Sequence, residues 1–244
     1  MNILSVDAST ESCSAALYTD AHIFVRHQIA PREHSKLLLN MIDELLKEAE
    51  VCVQDIDTFA YGMGPGSFTG LRIAASVVQG LAFGTNKMVI PISTLQALAL
   101  AAWKRFGYTQ VFAALDARMQ EIYFGFYELD DNNIMQNVMI DSMSSPNLFT
   151  DLSPEILAKN WCGVGAGVTV YHELLKKSLP CIEIHESLLY PSALEIAILA
   201  HAALMKNSGV PAAHAIPVYL RNKITERQIT EKQVNLTQGK VTKK

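Results

Sequence analysis

The sequence has few of the features that mark secreted, membrane or disulfide-stabilised proteins. Its 244 residues include only four cysteines, and none of them form a C-x-x-C pair: Cys13, Cys52, Cys162 and Cys181. Cysteines this far apart predict free thiols in a reducing compartment rather than a disulfide framework or a zinc site. No apolar run approaches the ~18 residues that a membrane span needs, and residues 1–6 lack the pattern of a signal peptide. We therefore expect a cytoplasmic protein.

Several catalytic patterns are missing as well. No histidine lies between His34 and His172, so the middle of the chain cannot supply an H-x-x-x-H metal pair. The P-loop motif is absent, and the spacing supports no Ser/His/Asp or Cys/His set. His34 precedes a helix-like pattern, where we expect a surface or capping role.

Positive charge is scarce outside the C-terminus. The net charge is −4, but residues 221–244 hold seven Lys or Arg and two Glu, which leaves −9 on the rest. Such an acidic body argues against a broad nucleic-acid platform. The basic segment is expected to be a frayed, solvated tail.

The most informative segment that is present is the glycine-rich run at residues 61–72, YGMGPGSFTGLR. It joins a strand-like run at 57–61 to an apolar, helix-like run at 71–83. Glycines let the backbone approach a ligand closely, and the first amides of the following helix point back into the loop. Thr69 is the predicted N-cap of that helix. This pattern predicts an anion site, usually for phosphate, at Gly64, Gly66, Ser67 and Thr69.

One strand pattern occurs twice. Ile3–Asp7 and residues 111–116 are both apolar and end in aspartate, and each is followed by alanine and a returning strand. With the alternation of strands and helices, this predicts an α/β fold of two similar lobes. The arrangement is that of actin, Hsp70 and sugar kinases (the ASKHA architecture), with mixed sheets flanked by helices. We expect an N-terminal lobe at 1–102, a C-terminal lobe at 103–190, a returning segment at 191–222 that packs toward the N-terminal lobe, and a flexible tail at 223–244.

The two aspartates have different surroundings. Asp7, with Ser9 and Thr10, is a candidate to orient hydrated Mg²⁺ at a phosphate of ATP or ADP between the lobes. The open alternative is that these residues only close a hairpin. Asp116 has Arg118 nearby and no Gly-Gly after it, which favours a neutralised structural carboxylate.

Two helices of the first half are strongly apolar. In the helix that ends near Glu50, one stripe holds Leu37, Leu38, Met41, Ile42 and Leu45. Residues 70–84 are apolar almost all round, and such a helix must be covered all round. Either the first helix or another chain provides that cover.

Six segments point to one family: 3–17 (ILSVDASTESCSAAL), 31–35 (PREHS), 62–72 (GMGPGSFTGLR), 92–95 (ISTL), 115–119 (LDARM) and 217–222 (PVYLRN). On these segments the chain resembles the bacterial TsaB (YeaZ) family, up to about residue 223. The run GPGSFTGLR is the most specific of them.

The resemblance implies a function in tRNA modification. TsaB-like proteins are needed to make N6-threonylcarbamoyladenosine at position 37 of tRNAs that read codons beginning with A. They are relatives of the catalytic subunit TsaD, whose metal-binding histidine pair falls at Thr94 and Leu98 here, so this chain would be a non-catalytic paralogue. Its implied partners are TsaD, the ATPase TsaE and, in isolation, a second copy, with tRNA reached through the complex and ATP or ADP at the cleft or the junction.

The resemblance also assigns a partner-binding surface to the two apolar helices. The implied residues are Leu37, Leu38, Met41, Ile42, Leu45, Leu71, Ala74, Val77, Val78 and Leu81. Aspartate at Leu38, Met41, Val77 or Leu81 is then expected to break the pairing.

Three other functions stay open at this point. A free-standing ATPase or small-molecule kinase would turn over ATP alone and lose that activity in Asp7→Ala. A glycoprotease-like metallopeptidase would bind zinc or iron stoichiometrically. An RNA-binding module would depend on the basic tail.

Overall fold

Strands and helices alternate through both halves of the chain. The computed structural model describes residues 1–147 and 152–221. The strands are β1 (Ile3–Asp7), β2 (Ser12–Tyr18), β3 (Ile23–Ile29), β4 (Thr58–Gly64), β5 (Met88–Ser93), β6 (Gln110–Asp116), β7 (Ile122–Leu129), β8 (Met135–Asn137), β9 (Ser142–Ser144), β10 (Trp161–Val164), β11 (Ile182–His185) and β12 (Val210–Pro211). The helices are α1 (His34–Glu48), α2 (Phe68–Thr85), α3 (Thr94–Phe106), α4 (Pro154–Leu157), α5 (Ala166–Val170), α6 (His172–Ser178) and α7 (Ala193–Leu204).

The strands form two mixed sheets of the same construction. The first has the order β12-β5-β4-β1-β2-β3, and the second has β11-β10-β6-β7-β8, with β9 also paired to β7. In each sheet the strand that ends in aspartate pairs antiparallel with the next strand and parallel with a later one. The equivalence confirms the predicted two-lobe α/β fold of ASKHA type.

Three apolar layers hold the sheets and helices together. α1 and α2 cover one face of the first sheet, where their side chains meet Leu4 and Val6 of β1. α3 and α7 fill the space between the two sheets and contact Ile3 on the opposite face of β1. A third cluster around Trp161 fills the outer side of the second sheet. β1 is buried on both faces, and its residues are apolar except for Ser5 and the final Asp7.

The cap of α2 differs from the prediction. Ser67, not Thr69, is the N-cap: its backbone is extended and its Oγ accepts a hydrogen bond from the amide of Gly70 at 3.4 Å. Thr69 lies one residue inside the helix, because α2 begins at Phe68. In α7 the N-cap is Ser192, which accepts a hydrogen bond from the amide of Leu194 at 3.2 Å.

The chain returns to the first sheet after the second is complete. Ser5 Oγ donates to the carbonyl of Ala193 at 2.7 Å, the amide of Ala193 donates to Ser14 Oγ at 2.9 Å, and β12 pairs with β5. The predicted flexible tail at 223–244 lies outside the described residues. Within the part that is described, no helix has the length and apolarity to cross a membrane.

Residues 215–221, which we call the C-terminal strap, then cross from one lobe to the other. The Tyr61 hydroxyl donates to the carbonyl of Ile216 at 2.9 Å, and the amide of Val218 donates to the carbonyl of Met63 at 2.8 Å. At its far end, Arg221 pairs with Glu121 of the second lobe at 2.7 Å. The strap thus ties the lobes together on one side.

Candidate functional site

A cleft of about 1500 Å³ lies between the lobes. Its walls come from the β1–β2 turn, the β4–α2 loop and the start of α1 in the first lobe, and from the β6–β7 turn and the strap on the other side. Ser9, Thr10, Gly66, Ser67 and Thr69 of the predicted phosphate site line this cleft.

The glycine-rich loop, however, is packed against the chain itself. A Cβ added at Gly66 would overlap the carbonyl oxygen of Ser9, and one at Gly70 would overlap that of Ala8. The amide of Ser67 donates to the Ser9 carbonyl at 2.6 Å. Because Gly66 and Gly70 have no side chain, the β1–β2 turn can pack directly against the loop. The turn thus occupies the space that the sequence pattern assigned to a phosphate.

Gly64, at the other end of the loop, also lies close to the backbone of another segment. Its φ is +116°, and an added Cβ would lie 2.7 Å from the carbonyl oxygen of Val218 in the strap. The residue is needed for its backbone conformation and for the close approach of the strap. Gly64 thus faces protein backbone, as Gly66 does.

Asp7 does not face the cleft. Its side chain is completely buried, and Oδ2 accepts hydrogen bonds from the amide and the hydroxyl of Ser9 at 3.3 and 3.0 Å. Its Oδ1 has no hydrogen-bond partner within residues 1–147 and 152–221. Thr10 Oγ1 accepts from the amide of Ser12 at 3.2 Å. These contacts close a hairpin, which is the alternative that the sequence left open, and Asp7 itself is not among the residues that line the cleft.

Burial raises the pKa of Asp7 from 3.8 to about 7, against the smaller lowering effect of the Ser9 hydrogen bonds. Because the folded state holds this proton more tightly than the unfolded state, the contribution of Asp7 to stability is greatest below about pH 4. It falls as the pH rises to about 7, by about 4 kcal/mol from this group. Urea unfolding at pH 5 and pH 8 should show a smaller pH dependence in Asp7→Asn than in the parent. An equal pH dependence in both would contradict the assignment.

The second lobe has its aspartate neutralised. Asp116 accepts from the amide of Arg118 at 2.8 Å and from its Nη1 at 3.2 Å. Arg118 also approaches Glu11 of the first lobe at 3.8 Å, and the Tyr190 hydroxyl donates to Glu11 at 3.0 Å. Asp116 is thus the structural carboxylate that the sequence indicated, and Glu11 links the lobes across the cleft.

The positions that the resemblance assigned to a metal-binding histidine pair are buried. Thr94 is buried at the start of α3 and donates its hydroxyl hydrogen bond to the carbonyl of Pro65 at 2.6 Å, and Leu98 is fully buried. Nowhere in the described part of the chain do three His, Cys, Asp or Glu side chains group as a metal site requires.

Most of the predicted partner-binding residues pack inside their own lobe. Seven are buried in the core of their own lobe: Leu38, Met41, Ile42, Leu45, Leu71, Ala74 and Val78. They cannot contact a partner, because the apolar stripes of α1 and α2 cover the first sheet. Leu37, Val77 and Leu81 are only partly buried at the edge of this core.

The most exposed residues of α2 are not the ones that were assigned to the partner-binding surface. On α2, Ser76, Gly80 and Gly84 follow one another at four-residue spacing, and each is exposed. Nothing lies within 4 Å of a Cβ added at Gly80 or Gly84. Phe83 is 83% exposed beside them. We call these four residues the α2 docking face; its signal in the sequence is the spacing of small residues, which the count of apolar positions concealed.

The groove next to the docking face opens into the cleft. Ser35, Phe68, Thr69 and Ile73 line both. The guanidinium of Arg72 lies 3.8 Å from the ring centroid of Phe68. Aromatic residues and arginine are enriched at protein–protein interfaces.

Comparisons with known proteins agree on one family. The family model described as "TsaD: tRNA N6-adenosine threonylcarbamoyltransferase" matches residues 25–229. The tRNA threonylcarbamoyladenosine biosynthesis protein TsaB of Escherichia coli K12 is 36% identical over 96% of this chain and 100% of its own. The protein of the same name from Haemophilus influenzae is 34% identical over 94% and 97%. The solved structure of YeaZ from Pseudomonas aeruginosa matches with a TM-score of 0.82 and 37% identity, over 90% of this chain and 99% of that one.

Proposed function

Since the chain belongs to the TsaB (YeaZ) family, we propose that it is a non-catalytic subunit of the assembly that adds a threonylcarbamoyl group to tRNA. The modified atom is N6 of adenosine 37 in tRNAs that read codons beginning with A. We further propose that the protein works in the cytoplasm and acts by binding the catalytic subunit TsaD together with the ATPase TsaE.

The observation that carries the non-catalytic assignment is the state of the glycine-rich loop, of Asp7 and of the two positions where the resemblance places a metal-binding pair. The β1–β2 turn fills the glycine-rich loop, Asp7 is buried away from the cleft, and Thr94 and Leu98 stand where a metal pair would be. Each of these features supports a protein that positions a partner rather than one that carries out chemistry itself.

The α2 docking face supports the partner assignment. A stable protein–protein interface buries roughly 800 Å² on each partner, and its centre is enriched in aromatic residues. An exposed Phe83 beside Gly80 and Gly84 fits that description, because the small residues allow a partner helix to approach α2 closely. We propose the same face for TsaD and, when TsaD is absent, for a second copy of this chain.

The test of the function is reconstitution. TsaD, TsaE, a source of threonylcarbamoyl-adenylate and substrate tRNA are combined with and without this chain, and threonylcarbamoyladenosine is measured in the tRNA. We expect modification to depend on the chain. Undiminished modification without it would refute the proposal, and ATP turnover by the chain alone would favour the enzyme alternative.

Phe83→Asp tests the docking face. Placing a charge at a desolvated aromatic position is expected to weaken TsaD binding by at least about 2 kcal/mol, roughly thirtyfold. Isothermal titration with TsaD and analytical ultracentrifugation of the chain alone measure the two pairings.

The matched control for this variant is Ile140→Asp in the second lobe, because Ile140 is 84% exposed and Phe83 is 83% exposed. The control should bind TsaD as the parent does. Unchanged binding in Phe83→Asp, or equal losses in both variants, would exclude the α2 docking face.

A further inference from the structure

The turn between β6 and β7 has an unusual backbone. Arg118, Met119 and Gln120 follow one another with φ angles of +63°, +55° and +60°. None of them is glycine or asparagine, the residues that adopt positive φ most readily, and other residues visit this left-handed region singly rather than in a run. Three successive residues of this kind store strain, which persists only where the surrounding contacts hold it.

One side chain of the C-terminal strap contacts most of this turn. The Arg221 guanidinium donates to the carbonyl of Ala117 at 2.8 Å and to the carbonyl of Arg118 at 3.3 Å. It also pairs with Glu121 at 2.7 Å and lies 3.2 Å from the sulfur of Met119. The Arg221 side chain is only 13% exposed, so these contacts are shielded from water and stronger than on an open surface.

The other end of the strap is fixed to the first lobe. Besides the contacts of Ile216 and Val218 with β4, the Tyr219 hydroxyl accepts a hydrogen bond from Arg72 Nε at 3.0 Å. The Tyr219 ring also lies 5.1 Å from that of Phe68, centroid to centroid. Because this end is anchored at several points of the first lobe, Arg221 joins that lobe to a turn of the second.

The strained turn carries a contact across the cleft. Arg118, in the turn, approaches Glu11 of the first lobe at 3.8 Å, and its amide is bonded to Asp116 at 2.8 Å. The Arg118 side chain is 77% exposed, so its pairing with Glu11 is too weak to hold the turn in place. The position of Arg118 therefore depends on the backbone of the turn, which Arg221 holds.

We propose that Arg221 is a clasp, which holds the β6–β7 turn in its strained left-handed form and thereby keeps the cleft closed. When the clasp is released, the turn relaxes to negative φ angles and Arg118 moves away from Glu11. The lobes then separate about α3 and α7, which lie between the two sheets. The clasp is a property of this chain alone and does not depend on the proposed function.

Amide hydrogen exchange of the isotope-labelled full chain, followed by NMR, tests the clasp. The reporters are the amides of Ala117 and Glu121, which are bonded to carbonyls within the turn at 2.9 and 3.1 Å. Arg221→Gln should raise their exchange rates about tenfold, the effect of losing one charge-assisted hydrogen bond. The amides of Phe112 and Phe126, which face each other in β6 and β7, should keep the rates of the parent.

Arg32→Gln is the matched control for this variant. Arg32 lines the same cleft, but within the described residues it makes no hydrogen bond or ion pair with the turn or the strap. Its replacement removes the same charge from the cleft wall. The exchange rates of the two turn amides should therefore stay as they are in the parent.

Gln120→Gly distinguishes a strained turn from one that is merely ordered. Glycine adopts positive φ without steric cost, so relief of the strain should slow the exchange of the turn amides about tenfold. In an unstrained turn the same substitution would make exchange faster, because glycine is the more flexible residue. In the double variant with Arg221→Gln, the two effects should offset each other.

The native cysteines allow the closure of the cleft to be measured directly. Cys52 lies in the first lobe and Cys181 in the second, and both are exposed, whereas Cys13 and Cys162 are buried. Spin labels on the two exposed thiols report the distance between the lobes by pulsed electron paramagnetic resonance. The parent and Arg32→Gln should give one distance, and Arg221→Gln should show a second one from the open cleft.

Three results would overturn the clasp. The first is equal exchange of the turn amides in the parent and Arg221→Gln, and the second is faster exchange in Gln120→Gly. The third is the same single distance between the labels in the parent and Arg221→Gln. None of these results bears on the proposed function, which is measured by TsaD binding and tRNA modification.

Discussion

Replacing Gly70 by alanine is expected to unfold the first lobe, with a loss of about 5 kcal/mol or more. The added methyl would overlap the carbonyl oxygen of Ala8. That oxygen belongs to the backbone of the turn after β1, so the turn cannot move without disturbing the buried strand. Urea unfolding followed by circular dichroism measures the loss, which equals a large part of the stability of an ordinary domain.

Gly80→Ala on the same helix is the control. No atom lies within 4 Å of its added methyl group, and alanine is the better helix former by roughly 0.5–1 kcal/mol. This variant should therefore be slightly more stable than the parent. Equal effects at the two positions would show that helix propensity, rather than contact with Ala8, decides the result.

Leu38→Asp is expected to have an effect of similar size. Leu38 is fully buried in α1 against the first sheet. The substitution removes the packing of a leucine, worth roughly 2–5 kcal/mol, and adds the cost of burying a carboxylate. The sum is about 6 kcal/mol or more, enough to prevent folding rather than merely to break a protein–protein contact.

The neighbouring Leu39 provides the comparison. It is 54% exposed on the same helix, so Leu39→Asp should keep the free energy of unfolding within about 0.5 kcal/mol of the parent. Thermal unfolding and expression in the soluble fraction distinguish the two variants. A folded Leu38→Asp protein that only fails to pair would restore the interface assigned to this residue from the sequence.

The contrast between Leu38 and Leu39 shows where sequence analysis succeeded and failed. Apolar periodicity correctly located α1 and α2, because periodicity reports which residues must leave water. It does not report whether the cover comes from the same chain or from another one. The family resemblance assigned the seven buried positions to an interface, whereas they cover their own sheet. The proposed α2 docking face contains glycines and a serine, which no count of apolar residues detects.

The sequence could not predict the local geometry of single residues either. Both Ser67 and Thr69 are good capping residues, and only the point at which β4 ends selects Ser67. β3 was not predicted, since an exposed edge strand needs no regular alternation. The break at Tyr171 between the two short helices α5 and α6 is a further local detail of this kind. The repeated strand that ends in aspartate was more informative, because it reflects the topology of a whole lobe.

The return of the chain to the first sheet has a consequence for synthesis on the ribosome. The β1 face that contains Ile3 is covered by α3 and α7, and the contacts of Ser5 and Ser14 with Ala193 join β1 and β2 to the start of α7. A nascent chain that has emerged only as far as α3 therefore exposes part of an apolar sheet that its own later residues must cover. The N-terminal lobe is begun first and finished last, so its protection during translation depends on how fast the second lobe is made.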